Sequence, residues 1–365
     1  MPDVHPHPSS VAEVQAAVRS ARCVLPRGRG TKTALAAAPN GVTPLDLSAL
    51  SGVIEYAPGE FTFTALAGTP ITEIAALLAE HGQYLPVDPL LTDAGATLGG
   101  TVAAGTNGPG RYRYGGLRDF ILGIRYVDGE GQIVAAGGKV VKNAAGFDLP
   151  KLMVGSLGQF GVLVELTFKV FPQPEAHATL RLACASVADG VAAITRLTAS
   201  QLDLEAVDLE PTQAGAVLWV RLGGLSDALP ARLERLRGLL AGGETVPAAE
   251  EAAFWRDARE LAWVPAGWSL VKAPVTPKRI VALEGLLTAG GQRSAAVRRY
   301  GVAGQAAWIA TPDPGELDAA LTQAELSGLA LLGPAGKVRL GVRTGEPFER
   351  RVKQALDPAG RFLVR

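Results

Sequence analysis

Cysteine and histidine, the side chains that most often bind metal ions and clusters, are scarce in this sequence. Its 365 residues include two cysteines, Cys23 and Cys184, and four histidines. Two cysteines do not suffice for a four-cysteine iron–sulfur or zinc site. Residues 178–365 contain no histidine at all, so that half of the chain offers neither an imidazole base nor an imidazole ligand.

An excess of charge of one sign and long apolar runs are missing as well. The 35 basic residues balance the 35 acidic residues, which gives nucleic acids and anionic membranes no electrostatic attraction to the chain. No apolar run reaches the roughly 18–20 residues that span a bilayer, and we find no secretion signal. We therefore expect a cytoplasmic protein without a membrane span of its own.

Glycine, in contrast, is abundant and gathers in three segments: LPRGRGTK (residues 25–32), ATLGGTVAAGTNGPG (residues 96–110) and VKNAAGFDLPKLMVGSLGQFG (residues 141–161). Successive main-chain N–H groups in such turns can form a concave site for an anion, and a helix that begins at Gly99–Gly100 would point N–H groups at a phosphate. A basic surface turn or tight helix packing is the alternative for each segment alone. Together the three favour one extended ligand held by the main chain, such as a dinucleotide.

The first glycine segment matches neither of two common phosphate-binding motifs. The Rossmann pattern G-x-G-x-x-G would need glycine where Thr33 stands, and it would have to open a helix, for which the following ALAAAPNG leaves little room. A P-loop would need G-K-[ST] at its end, which is missing here. After Pro172 the sequence predicts a strand (residues 178–186), a helix (187–200), two strands (204–210 and 216–224) and a helix (228–243), which indicate a second, α+β domain.

Three stretches, PRGRGTK, TLGG…TFKVFP (residues 97–172) and EEAAFWRDAR, resemble the FAD-binding oxidoreductases of the vanillyl-alcohol oxidase/PCMH type. The resemblance implies an α+β protein. Residues 1–172 would be a PCMH-type FAD-binding domain of two α+β subdomains. Residues 173–365 would be a smaller α+β domain with an antiparallel sheet, like the C-terminal domain of FAD-linked oxidases.

The same resemblance implies which residues contact FAD. They are Pro26, Arg27, Gly28, Arg29, Gly30, Thr31, Lys32, Thr97, Leu98, Gly99, Gly100, Gly105, Thr106, Asn107, Arg118, Lys142, Asn143, Gly146, Asp148, Gly155, Ser156, Gly158, Gly161 and Val162. Asp148 has the alternative of capping a helix, and Lys142 that of a solvated strand residue. Some relatives attach FAD covalently through a histidine of the first loop. Residues 8–80 contain none, so we expect noncovalent FAD.

The family further implies the FAD-binding subunit of a glycolate oxidase-like complex that oxidises a small 2-hydroxy acid. The carboxylate of such a substrate needs a cation, for which Lys272, Arg111 and Arg118 are the catalytic candidates, with Arg113 beside them; no metal is expected. The partners would be a homologous catalytic flavoprotein and an iron–sulfur subunit. Two alternatives stay open: an assembly subunit without its own catalysis, and a free-standing FAD enzyme with another small substrate, as in sugar-nucleotide reductases.

The sequence departs from the family pattern at two points. Phe147 stands where relatives often have tyrosine, and the tail LDPAGRFLVR lacks the usual Asn–Pro–Gly ending. The second departure leaves no basis for predicting a contact between the C-terminal tail and the flavin site.

Overall fold

A computed structural model of the chain describes residues 6–138, 147–288 and 296–365. The helices in these ranges are α1 (Val11–Ser20), α2 (Thr33–Ala36), α3 (Ile71–Ala79), α4 (Leu98–Ala104), α5 (Arg111–Tyr114), α6 (Leu117–Phe120), α7 (Leu149–Met153), α8 (Val187–Thr198), α9 (Leu229–Leu240), α10 (Ala248–Glu260), α11 (Pro277–Thr288), α12 (Pro314–Gln323) and α13 (Glu346–Leu356).

The strands of the same ranges are β1 (Val24–Arg27), β2 (Thr43–Asp46), β3 (Val53–Ala57), β4 (Thr62–Leu66), β5 (Gln83–Tyr84), β6 (Ile121–Val127), β7 (Ile133–Gly137), β8 (Val162–Lys169), β9 (Phe171–Pro172), β10 (Ala176–Cys184), β11 (Ala206–Thr212), β12 (Gly215–Gly224), β13 (Glu244–Thr245), β14 (Ser269–Pro274), β15 (Val297–Gly301), β16 (Ala306–Thr311), β17 (Ser327–Leu332) and β18 (Arg339–Gly341).

The chain divides into two compact units that are not continuous in sequence. Unit 1 comprises residues 1–107, 116–173 and 344–365, and unit 2 comprises residues 108–115 and 174–343. The structure differs from the predicted domain ranges at two places. Residues 108–115 belong to unit 2, although they were predicted in the first domain. Residues 344–365 belong to unit 1, although they were predicted in the second domain.

Unit 1 has the two α+β parts that the family resemblance predicts. In the first, β1 and β2 pair in parallel beside α1, whose N-cap Ser10 accepts a hydrogen bond from the Glu13 N–H. Apolar residues of α1 at helical spacing, Val14 and Val18, enter a core shared with Val24. In the second part, the described strands form a sheet in the order β3-β4-β8-β6-β7, with antiparallel pairing throughout.

The C-terminal tail joins unit 1 by pairing with β1. The Val24 N–H donates to the Arg361 carbonyl (2.7 Å), and the Leu363 N–H donates to the Val24 carbonyl (3.1 Å). Phe362 is 1% exposed and packs in the core around Val14. Burial of this aromatic ring explains why the tail does not continue the second predicted domain.

Unit 2 is built on one antiparallel sheet. Within the described residues its strand order is β13-β10-β12-β11-β15-β16-β14-β17-β18. Trp219 of β12 and Trp255 of α10 are buried in a common cluster. The strand, helix, strand, strand and helix predicted from residue 178 to residue 243 are confirmed as β10, α8, β11, β12 and α9.

Candidate functional site

The loop that follows β1 presents main-chain donors without protein acceptors. Within the described ranges, the N–H groups of residues 28–32 donate no hydrogen bond to the protein. The chain continues from this loop directly into α2, where the sequence predicted little room for a helix. Unpaired consecutive N–H groups are the donor set that binds phosphate oxygens, so the anion-site interpretation of LPRGRGTK is the one that this geometry supports.

A cavity opens along this loop, and its charge suits an anion. The loop, α2, α4, Leu157 and Arg365 line it. All four ionisable side chains on its wall are cationic: Arg27, Arg29, Lys32 and Arg365. The Arg365 guanidinium donates to main-chain carbonyls of residues 34, 35 and 37, so the C-terminal tail contacts α2 and the residue after it, next to the predicted cofactor loop, although its ending departs from the family pattern.

Lys32 is the least exposed of these cations. It is 7% exposed, and no hydrogen bond or ion pair of its side chain occurs within the part of the chain that the structure describes. Burial lowers the pKa of its ammonium to about 8, because a charged group loses hydration in a low-dielectric surrounding.

The three glycine-rich segments meet at this cavity and at a second one beside it. The second is lined by Pro26, Gly28, Thr97, Gly100, Gly158 and Gly161, among others. A Cβ on Gly28 would overlap Thr97 Oγ1 and lie 3.1 Å from both Thr97 Cβ and Thr97 Cγ2. Glycine is therefore required for the first loop to approach α4 this closely.

The third segment packs on the C-terminal end of α4. The Gly155 N–H donates to the Val102 carbonyl (2.9 Å), and the Leu157 N–H donates to the Ala103 carbonyl (2.8 Å). Gly155 has a φ of +82°, which glycine adopts at little cost. The convergence expected from sequence is thus present in unit 1.

The N-terminus of α4 does not serve as the predicted anion site. Its first N–H groups already have protein acceptors, which are the Thr69 carbonyl for Leu98 (2.9 Å), the Ala67 carbonyl for Gly99 (2.8 Å) and Thr97 Oγ1 for Gly100 (3.3 Å). The packing alternative therefore explains these three N–H groups. Thr97 and Gly100 still line both cavities.

Three buried hydroxyl groups near these segments have no hydrogen-bond partner within the described residues: those of Thr101, Thr106 and Ser156. Buried polar groups are usually satisfied, so a bound polar ligand or water is the ordinary explanation. Thr106 and Ser156 belong to the predicted set. Thr101 was missed, although it lies one helical turn from Thr97, a spacing that places both on one face.

Several other predicted cofactor residues have structural roles. Asn107 accepts from the Leu117 N–H (2.8 Å) and donates to the Gly105 carbonyl (3.4 Å). Asp148 caps α7 by accepting from the Lys151 N–H (3.2 Å), which matches the alternative that the sequence left open.

Arg118 lies in unit 1, where its Nε donates to the Lys151 carbonyl (3.0 Å); its catalytic role stays a prediction. The side chain of Val162 is buried in the hydrophobic core. Lys142, Asn143 and Gly146 lie outside the described residues.

A second group of predicted residues comes together in unit 2. Residues 108–115 carry Arg111 into this unit, close enough to Lys272 for its charge to act on the lysine. Lys272 is half-buried on β14, opposite Trp308 of β16, and its ammonium lies 5.6 Å from the centroid of the indole ring. Burial, followed by the charge of Arg111, lowers the pKa of Lys272 to about 8.

An ion pair attaches the Arg111 segment to its surroundings. Arg113 Nη2 lies 2.5 Å from Asp203 Oδ2. Nearby, the buried Glu205 is within 3.2 Å of His177 Nε2. Burial raises the pKa of Glu205, but its hydrogen bond to His177 and the charges of His177, Arg221 and Arg113 outweigh burial and hold the pKa below its usual value.

Two kinds of feature are missing from the described residues. No helix in them is long and apolar enough to cross a membrane, and they contain no cluster of three or more histidine, cysteine or acidic residues that could hold a metal ion.

Comparisons with known proteins add the following similarities. The family described as "FAD binding domain" matches residues 2–137. Glycolate oxidase subunit GlcE of Escherichia coli (strain K12) is 36% identical over 248 residues, which cover 68% of this chain and 67% of that protein. A D-2-hydroxyglutarate dehydrogenase of Xanthomonas citri pv. viticola is 32% identical over 206 residues, 55% of this chain and 43% of that protein.

Glycolate oxidase subunit GlcD of Bacillus subtilis (strain 168) is 27% identical over 252 residues, 63% of this chain and 53% of that protein. This chain thus spans about half the length of the last two relatives. Among solved structures, an alkyldihydroxyacetonephosphate synthase superposes with a TM-score of 0.73 at 16% identity, covering 97% of this chain and 75% of the other. At that identity the likeness concerns the fold.

Proposed function

Since the chain belongs to the FAD-binding oxidoreductases of the PCMH type, we propose that it is the FAD-bearing subunit of a glycolate oxidase-like complex that oxidises a small 2-hydroxy acid to the 2-oxo acid. The unpaired N–H groups of residues 28–32 and the cationic cavity wall fit the pyrophosphate of FAD.

The proximity of Lys272 to Arg111 supports the substrate part of the proposal. Oxidation of a 2-hydroxy acid requires a cation for the carboxylate and a base for the hydroxyl proton. Arg111 is always charged and exposed, so it binds the carboxylate. Lys272, with a pKa of about 8, is partly neutral near physiological pH and accepts the hydroxyl proton on Nζ. A bound FAD would supply the acceptor for the hydride of the α-carbon.

The partners follow from the relatives and from the composition. Two of the relatives are named as subunits of glycolate oxidase, and this chain has two cysteines, too few for a four-cysteine cluster. We therefore infer a homologous catalytic flavoprotein subunit and an iron–sulfur subunit that takes up the electrons. FAD is held noncovalently in this proposal, and acid or heat releases it intact.

His177 favours a second candidate, a flavin-bearing assembly subunit without its own substrate chemistry. It is the only histidine in the sequence of unit 2, and the buried Glu205 already occupies its Nε2. An imidazole held in this way is not available as the base that catalytic members of the family commonly use.

Anaerobic flavin reduction distinguishes the two candidates. The FAD-loaded chain, alone and coexpressed with its two partners, is mixed with glycolate, D-lactate, D-2-hydroxyglutarate or NADPH, and flavin bleaching is followed by stopped flow. We expect negligible reduction of the lone chain and reduction by a 2-hydroxy acid in the complex. The Lys272→Met variant then reports whether this subunit's own flavin is the one reduced. Bleaching by NADPH alone would refute the proposed substrate class.

A further inference from the structure

The turn at residues 156–159 has an unfavourable backbone conformation where it lines the cavity beside the first glycine loop. The Gln159 N–H donates to the Ser156 carbonyl (3.0 Å), and both central residues of the turn have a positive φ, +55° at Leu157 and +74° at Gly158. Glycine adopts such a φ at little cost, whereas leucine does not. Leu157 lines the cavity, so contacts elsewhere have to stabilise its conformation.

The side chain of Gln159 supplies such contacts. It is buried, and its amide makes three hydrogen bonds. Nε2 donates to Glu349 Oε1 of α13 (2.8 Å) and to the Ser156 carbonyl (3.3 Å). Oε1 accepts from the Arg365 N–H (3.0 Å). The turn, α13 and the C-terminal tail therefore meet at one side chain.

Apolar burial holds α13 only weakly. None of its 11 residues, all of which the structure describes, is buried, and its Phe348 is 69% exposed. Lys353 adds a second polar link to the turn, since its ammonium donates to the Gln159 carbonyl (2.7 Å). An element with few buried apolar contacts opens locally at low cost, so the docking of α13 depends on its polar contacts with Gln159.

We propose that Gln159 is a positioning residue for the cofactor: it keeps Leu157 in place while α13 is docked, so that FAD and the docked helix stabilise each other. This inference rests on the proposed FAD site at this cavity and not on the proposed substrate. Such coupling is reciprocal. FAD should slow the local opening of α13, and loss of the docked helix should weaken FAD binding.

The experiment measures amide hydrogen exchange in the FAD-free and the FAD-loaded chain, in peptides that cover residues 28–32 and residues 346–356. In the wild type FAD should slow exchange in both, by about fivefold or more in α13. Gln159→Leu has a side chain of similar size without the amide. In this variant FAD should still slow exchange at residues 28–32, whereas α13 should exchange about tenfold faster and no longer respond to FAD.

The affinity for FAD supplies the reciprocal measurement. Titration calorimetry should give a Kd about tenfold higher for Gln159→Leu, since the turn loses its side-chain hydrogen bonds. Gln83→Leu is the matched control. Gln83 is also buried in unit 1 and is hydrogen-bonded to Tyr56 and to the Pro58 carbonyl, but it lines neither cavity described above. Its variant should keep the wild-type Kd and the response of α13.

Two variants of the helix test the same contact from the other side. Glu349→Gln keeps an acceptor for Gln159 Nε2 and should behave as the wild type. Glu349→Leu removes the acceptor and should resemble Gln159→Leu in both measurements. Recovery by the amide distinguishes a hydrogen bond from a general loss of stability.

Three results would overturn the inference. Unchanged exchange at residues 28–32 on FAD binding would refute the proposed FAD site and this inference with it. Slower exchange there but not in α13 would refute this inference alone, and so would a folded Gln159→Leu variant with wild-type affinity for FAD. If Gln159→Leu fails to fold, the wild-type exchange and the two Glu349 variants decide.

Discussion

Lys32 in unit 1 and Lys272 in unit 2 have the same lowered pKa, about 8, in different surroundings. Burial is the cause at Lys32, whereas at Lys272 the charge of Arg111 adds to burial. Lys32 lines one cavity together with three arginines and with the loop whose main-chain N–H groups lack acceptors. Lys272 lies over the Trp308 ring on a packed sheet.

We expect one pKa value to serve two opposite uses. At Lys32 a bound anion would stabilise the ammonium, so the charged form is the one expected to act. At Lys272 the neighbouring Arg111 is expected to supply the permanent charge and the neutral amine to accept a proton. The surroundings of a lysine, rather than its pKa, therefore indicate its function.

Replacement of Lys272 is expected to have the largest effect. In the assembled complex, Lys272→Met and Lys272→Arg should both slow flavin reduction by the 2-hydroxy acid by about 10²–10⁴-fold, the usual contribution of a positioned general base. Their FAD content should stay at the wild-type level. Stopped-flow bleaching measures the rate, with Lys278→Met as the control. A Lys272→Arg variant as fast as the wild type would show that the residue acts as a cation only.

Gly28→Ala tests the other half of the comparison. The added Cβ meets Thr97 on α4, and overpacking of this kind costs about 1–3 kcal/mol. We expect purified Gly28→Ala to carry about 10-fold less FAD or worse, measured as the ratio of flavin to protein absorbance. Gly59→Ala is the matched control, because nothing lies within 4 Å of its Cβ. Equal FAD content in the two variants would argue against the first loop as the phosphate site.

The pH dependence of the flavin reduction rate and of the affinity for FAD distinguishes the roles of the two lysines most directly. At saturating FAD, the rate of flavin reduction by substrate should rise about tenfold per pH unit below pH 8 and level off above it, because Lys272 acts in its neutral form. The affinity for FAD should change in the opposite sense, constant below pH 8 and falling above it. Parallel pH profiles for the rate and the affinity would contradict the distinction drawn between the two sites.

Sequence reasoning identified the glycine loops, the family and the fold class because each rests on local patterns. A loop such as LPRGRGTK keeps its N–H groups unpaired through its own conformation, and α1 or β10 follow from the spacing of apolar residues. Of the residues that line the cavity beside the first loop, residues 26–32, Thr97 and Gly100 were among those predicted, whereas Leu157 and Arg365 were not. Thr101 was missed because a buried hydroxyl without a partner is visible only in three dimensions.

Contacts between distant parts of the chain could not be predicted. Phe362 pairs with Val24 of β1, and nothing in the sequence near either residue encodes that choice. The helix beginning at Leu98 was anticipated, but the acceptors of its first N–H groups come from residues 67–69. The assignment of residues 108–115 to unit 2 could not be predicted either, because these residues belong to a glycine-rich segment whose local sequence indicates only a loop.

The smallest expected effect concerns the attachment of the Arg111 segment. Asp203 is half-exposed and pairs with Arg113, and exposed ion pairs contribute about 0.2–1 kcal/mol. In Asp203→Asn the segment is held less firmly, so Arg111 is less well placed for the substrate carboxylate. We expect the KM for the 2-hydroxy acid to rise about two- to fivefold in the complex, with kcat and FAD content nearly unchanged.

Glu244→Gln is the control for this variant. It removes another exposed ion pair of unit 2, that with Arg181, and should leave the KM unchanged. Because salt screens such a pair, added salt should raise the KM of the wild type toward that of Asp203→Asn. A variant with a lower kcat and an unchanged KM would instead mean that this segment acts on Lys272 rather than on substrate binding.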